Sequence, residues 1–241
     1  MPEAEQIIEP RCGMFILIPV FKLKADWGNV DCDARARAAE EATQVLQIDG
    51  CPAEANIYIS RGLNASSDYF LRVRAQNLLE AQKYLHKWLR TRVGQLSDLT
   101  DIMVGVTKPL HYITHQKSAQ LNDQLKRLRY EGGKPGFVVI IPVKKCAKWW
   151  ALSDAERLKE IEVHTRQSVA YLAAVNRELY HSTGLDQADF ITYFETNDLK
   201  AFHELAIALT RIPEYEFQVP SGHALLLGTI HPIADAVRML C

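Results

Sequence analysis

The sequence predicts an α+β protein made of two tandem ferredoxin-like halves with facing antiparallel sheets, a dimeric α+β barrel. Three observations lead there. The 241 residues spell strand, helix, strand, strand, helix, strand, and then spell that order again. Stretches of the two copies lie over one another nearly residue for residue. Neither copy has enough helix to cover both faces of its own sheet, so the two open faces are expected to bury each other.

Taken in order, residues 13–21 (GMFILIPVF) are apolar throughout and read as a strand buried on both faces. The helix over 33–47 is expected to start at Asp33. Residues 55–60 and 68–75 read as strands around an RGLNAS turn. Residues 76–93 carry Leu78, Leu79, Tyr84, Leu85, Trp88 and Leu89 at helical spacing, and 101–107 form the next strand. A polar segment from His111 to Tyr130 leads to the glycine-rich EGGKPG at 131–136. That linker divides an N-terminal half, 1–130, from a C-terminal half, 131–241.

The second copy restarts there. GMFILIPVFKLKADW at 13–27 lies over GFVVIIPVKKCAKWW at 136–150, which matches Gly13, Ile18, Pro19, Val20, Lys22 and Trp27 to Gly136, Ile141, Pro142, Val143, Lys145 and Trp150. SRGLN at 60–64 lies over STGLD at 182–186, and DYFLRV at 68–73 over DFITYF at 189–194. An amphipathic helix follows each, at 76–93 and 197–211.

Composition excludes several classes. Charged residues make up 24% and the net charge is −1, so no broad basic surface for nucleic acid or anionic lipid is implied. No apolar run approaches the roughly 20 residues of a membrane span. The N-terminus lacks the basic and apolar regions of a secretory leader. Five cysteines without a CxxC argue for free thiols rather than disulfides or zinc, which leans toward a reducing compartment.

Residues present in only one copy are candidates for function. His164 lies in a helix read from Ser153 to Val175, with Ser153 and Glu156 as a capping box. Its first-half counterpart in the superposition is Glu41. It reads either as a hydrogen-bonded core histidine or as a metal ligand. Arg177, opposite Ala55, reads as a salt-bridged surface residue or as a functional cation. Lys145 and Trp150 fall on Lys22 and Trp27 and so can be structural, whereas Trp149 falls on Asp26. Glu214 can be solvated. His111 and His115 lie in extended chain after Pro109, a poor zinc pair.

At these residues the second half resembles the chlorite dismutase family. The matching stretches are IIPVKKCAKWWALSDAER, EVHTRQSVAYLAAVNRELYHSTGLDQADFITYFET, LTRIPEYEF and HALLLGT, covering most of 136–230. The first half resembles the longer branch of that family. The resemblance implies one haem b per chain in the C-terminal half, with His164 as proximal iron ligand. Glu214 would accept a hydrogen bond from the other imidazole nitrogen, and Arg177 would be the distal arginine. Lys145, Trp149, Tyr112 and Ile113 would line the haem and hold its propionates, and Trp150 would pack nearer a subunit contact.

The implied activity is conversion of chlorite to chloride and dioxygen through a ferryl intermediate, by a homopentamer. Exported members of the family place it in the periplasm if a leader has been removed. The family also holds coproporphyrin-haem decarboxylases, which generally lack the distal arginine, so Arg177 favours chlorite. A haem-binding oligomer without turnover is the non-enzymatic alternative.

Overall fold

A computed structural model describes residues 13–47, 51–108, 121 and 128–240. The first half runs β1 (Phe15–Leu23), α1 (Cys32–Leu46), β2 (Ala53–Ile59), β3 (Tyr69–Ala75), α2 (Leu78–Arg90), the short α3 (Arg92–Gln95) and β4 (Ser97–Val106). The second runs β5 (Phe137–Lys145), the short α4 (Ala147–Ala151), α5 (Asp154–Val169), β6 (Val175–His181), β7 (Phe190–Thr196) and α6 (Leu199–Thr210). A 3₁₀ turn (Pro213–Phe217), β8 (Gln218–Val219), β9 (Leu226–Ile230) and α7 (Ile233–Leu240) complete it.

The strands order as β4-β1-β3-β2 in the first half and β9-β5-β7-β6 in the second, antiparallel throughout, which is the split βαβ plan twice over. Two seams join the sheets. Tyr58 and Ile59 of β2 pair with Ile230 and Thr229 of β9, and Val106 of β4 pairs with His181 of β6. Eight strands therefore close into a barrel, with β8 annexed to β5 at Lys144 and Lys145. Closure leaves neither sheet a long free edge.

The burial of β1 on both faces, expected from its apolar run, follows from this closure. Ile16, Ile18, Val20, Phe70, Val138, Ile140, Ile191 and Leu226 fill the barrel interior from both halves. One end of that interior is polar. The Arg72 guanidinium lies 4.0 Å from the Tyr193 ring centre, and the Tyr58 and Tyr193 hydroxyls are 2.8 Å apart. Outside, Leu17, Phe21, Ile57, Ile59, Tyr69 and Leu71 of the first half are sealed beneath α1, α2 and α7. The C-terminal helix thus covers the first half: Ala236, Val237 and Leu240 join its core, and Trp27 Nε1–H donates to the Leu240 carbonyl at 2.5 Å.

Several boundaries differ from expectation. The cap of α1 is Asp31, not Asp33; its carboxylate accepts the Ala34 N–H at 2.8 Å. β4 begins at Ser97 because β1 runs on to Leu23 and pairs with it there. Leu79, one of the apolar residues named for this helix, is 51% exposed. The helix carrying His164 ends at Val169 rather than Val175, since Val175 is drawn into β6 opposite Thr196. Among the described residues, no helix is long and apolar enough to cross a membrane.

Candidate functional site

Hydrogen bonding corrects the superposition of the halves by one residue. The Asp68 N–H donates to Phe21 and the Asp189 N–H to Val143. Asp68 then receives the Lys22 ammonium and the Leu23 N–H, while Asp189 receives the Lys144 ammonium and the Lys145 N–H. Lys22 thus corresponds to Lys144, and Lys145 to Leu23. Trp27 corresponds to Trp149, both buried, and Trp150 to Gly28. The identities in the sequence favoured the neighbouring alignment, but a one-residue slip would exchange the two faces of the strand. His164 moves accordingly from Glu41 to Ala42, which lies as far past the cap Asp31 as His164 lies past Ser153. Arg177 keeps Ala55 as its counterpart, since Ala55 pairs with Val73 as Arg177 pairs with Phe194. Glu214 stands over Val93, each three residues before the carbonyl that receives an N–H from the loop after the first strand.

Leu23, Ala42 and Val93 make ordinary apolar contacts around the first half's core. Lys145, His164 and Glu214 replace them in the second half with a connected polar chain. Glu214, only 8% exposed, accepts from Lys145 Nζ at 2.6 Å on one oxygen and meets His164 Nδ1 at 2.7 Å on the other. Burial pushes the Glu214 carboxyl up, but the hydrogen bonds and charges of His164 and Lys145 outweigh it and hold the pKa below the usual value. A carboxylate can only accept, so Nδ1 carries a proton, and Nε2 is the ring nitrogen left over for another partner. That nitrogen has no hydrogen-bond partner among the described residues, and the imidazole side chain is 32% exposed. Both alternatives for His164 therefore meet in one ring, bonded on one side and open on the other.

Helix α5 presents His164 from a rigid start. The Ser153 hydroxyl caps the Glu156 N–H and Glu156 reaches back to the Ser153 N–H, the predicted capping box. Ser153→Ala is expected to cost about 1 kcal/mol in a thermal melt. Lys145 is held from several sides: its ammonium lies 4.7 Å from the Trp149 ring centre, and that ring packs on Phe217 at 5.5 Å.

Glu214→Gln keeps the volume but leaves the buried Lys145 ammonium without a counter-charge. The expected loss is roughly 3 kcal/mol at pH 7 by urea melt. Because the Glu214 pKa is depressed, its contribution is present above the ordinary value of 4.5 and is lost as pH falls through the folded value. The gap between wild type and variant should therefore close in acid.

The outer face of the second sheet is where the duplication diverges most. Phe21, Ile57, Ile59, Tyr69 and Leu71 are sealed in the first half, whereas their counterparts Val143, Leu179, His181, Phe190 and Thr192 are open or half-buried. Leu179 is 43% exposed. Helix α5 buries only Thr165 and Ser168, while α1 buries Ala38, Ala39, Ala42 and Leu46. An uncovered apolar floor results, with Trp150 stacked on Phe190 and His181 edge-on to the same ring. Burial, with help from Lys108, pushes the His181 imidazole down to about 4, so it is neutral in ordinary buffers.

Arg177 shares this face with Val175 and Leu179, by strand alternation. Among the described residues it makes no hydrogen bond or ion pair. Burial lowers its pKa, although a guanidinium stays charged at any working pH. His181, Phe190 and the open floor were missed by sequence reading; the alternation of β6 and β7 over a correctly registered repeat would have revealed them. Tyr112 and Ile113, like His111 and His115, lie outside the described residues.

The sequence profile of the family described as chlorite dismutase matches residues 35–227. The chain belongs to the chlorite dismutase family. A chlorite dismutase from Ideonella dechloratans is 45% identical over 228 residues, spanning 95% of this chain and 80% of that protein. Two structures of the chlorite dismutase from Candidatus Nitrospira defluvii superpose with a TM-score of 0.90, covering 95% of this chain and 96% of theirs. One is an imidazole complex, 32% identical, and the other an arginine-to-lysine variant, 31% identical. The tandem ferredoxin-like fold is thus the fold of the chlorite dismutase family.

Proposed function

We propose that this chain is a haem b enzyme that converts chlorite to chloride and dioxygen. The observation that carries the reading is the internal contrast between the halves. Where the first half has Leu23, Ala42, Val93 and Ala55, the second has Lys145, His164, Glu214 and Arg177, beside a sheet face stripped of its cover. The residues fit the cofactor: an imidazole with one nitrogen open, an apolar floor for a flat macrocycle, and cations for an anion. Chlorite dismutases are haem-dependent as a family, and one haem per chain is proposed here.

His164 would hold the iron through Nε2, and Glu214 would fix the ring's orientation and raise its basicity through Nδ1. Lys145 keeps Glu214 ionised and in place. Trp149 and Trp150 would border the macrocycle. When bound, the haem supplies the redox chemistry that breaks chlorine–oxygen bonds and joins two oxygens. Arg177 attracts the chlorite anion to the open face, orients it, and keeps the oxychlorine fragment from diffusing away before both oxygens are released together. With no carboxylate among the described residues paired to it, the guanidinium fork is available to the substrate. The assembly we propose is a homopentamer.

The test is direct. The protein is loaded with haem, given chlorite at mildly acidic pH and followed with an oxygen electrode. One dioxygen and one chloride per chlorite are expected. A protein that shows a Soret band but evolves no oxygen would sink the reading.

A further inference from the structure

A second buried ionic cluster lies away from this site, in a surface recess where the two halves meet. His223, in the loop before β9, is sandwiched between two carboxylates. Its Nδ1 lies 2.9 Å from Asp101 Oδ1, and its Nε2 lies 2.5 Å from Asp186 Oδ1. Asp101 belongs to β4 of the first half, and Asp186 to the STGLD turn of the second. The imidazole side chain and that of Asp186 are each 5% exposed. The other residues lining the recess, between Leu99 and Val104 and between Gly184 and Gln187, add no further ionisable group.

Both carboxylates are themselves held. Asp186 accepts the Val104 N–H of β4 at 2.6 Å and its neighbour's N–H from Gln187. Asp101 accepts the Ile102 N–H at 2.8 Å. Asp186 thus crosses between the halves, whereas Asn64, its counterpart in the first-half turn, bonds only locally to Ser66. Both aspartates can only accept, so both ring nitrogens of His223 must donate, and only the imidazolium has two N–H groups.

We propose that His223 is a protonation-dependent clasp that locks the two halves together and positions the segments that carry Lys145 and Glu214. The loop it anchors follows β8, which pairs with Lys144 and Lys145, and the 3₁₀ turn that carries Glu214. The turn it anchors leads through Asp186 to Asp189, whose carboxylate receives the Lys145 N–H at 2.8 Å. One imidazolium therefore fixes both approaches to the Lys145–Glu214–His164 chain. Loss of its second proton donor sets a lone pair against a buried carboxylate, and the clasp opens.

The sign follows from the partners. Burial pushes the His223 pKa down, but hydrogen bonds and charge from Asp186 and Asp101 outweigh it and raise it above 6.5. Its stabilisation is complete below the ordinary imidazole value and is lost as pH rises through the folded value. This inference needs nothing from the haem reading.

The experiment compares full-length protein with its His223→Gln variant in thermal melts from mildly acidic to alkaline pH. The wild-type melting temperature should fall on the alkaline side by roughly 3 °C or more beyond any fall in the variant. Superimposable pH dependences would overturn the proposal. A measurement on unmutated protein labelled with ¹⁵N-histidine stands beside it in case the variant folds poorly. At pH 7 one histidine should show both ring nitrogens protonated, and that signature should vanish in Asp186→Asn; only neutral imidazoles at pH 7 would also overturn it. The same label reads the His164 Nδ1–H, which should exchange with water faster once the clasp is open. An unchanged exchange rate would rule out the positioning role.

Discussion

His164→Ala should abolish tight haem binding, with affinity falling by more than about a hundredfold while the apoprotein still folds. Folding survives because the imidazole is not a sealed core element: it is 32% exposed, and its counterpart Ala42 shows that a methyl satisfies this position of the fold. Glu214 keeps its buried partner Lys145 in the variant, so the ionic pair at 2.6 Å remains. The measurement is a haem titration followed at the Soret band, paired with circular dichroism. A wild-type Soret spectrum in the variant would show that another residue holds the iron. Loss of ellipticity together with haem would show instead that the ring is structural.

Arg177→Ala should leave haem binding intact and lower chlorite turnover by about a hundredfold, the scale on which removal of one well-placed oxyanion donor acts. Among the described residues the guanidinium has no structural bond to lose, and Ala55 fills the same place in the first half. A drop in stability would therefore count against a purely functional role. Alongside the lower rate, the fraction of chlorine released as hypochlorite should rise, read with a chlorinatable dye in the reaction mixture. Equal turnover and equal leakage would remove Arg177 from the mechanism. Arg177→Lys should recover part of the rate through charge, but not the two-pronged hold on the anion.

The fold was legible because both its periodicities and its repetition were written in the chain. Strand and helix order predicted each ferredoxin-like half, and two half-open sheets predicted their mutual burial. The seams were not legible: pairing of Val106 with His181 and of Tyr58 with Ile230 depends on where strand ends fall in space. Glu214 looked equally able to sit in solvent, because nothing local distinguishes a solvated glutamate in a 3₁₀ turn from one that meets Lys145 across 69 positions of sequence. The repeat itself was misaligned by one residue between 13 and 27. Chance matches of Pro19 to Pro142 and Lys22 to Lys145 outweighed the alternation that decides which face a side chain occupies. With the register corrected, Lys145 rather than Trp149 is the residue peculiar to the second half. The clasp at His223 joins three segments distant in the chain, and no motif announces it.

Joining two copies of one sheet-forming unit in a single chain also changes what substitution can do. In a symmetric pair of separate subunits, any residue placed for function appears twice, and any stability it costs is lost twice. Covalent linkage holds the two units at a high effective concentration and frees them from identity. One copy here kept a dense interior of Phe21, Ile57, Tyr69, Leu71 and Trp88, and even captured the terminal helix of the other. The other could then exchange buried methyls for ions and leave a sheet face bare. The fused chain therefore divides labour as an asymmetric heterodimer does, with one member anchoring the fold while the other is free to be reactive.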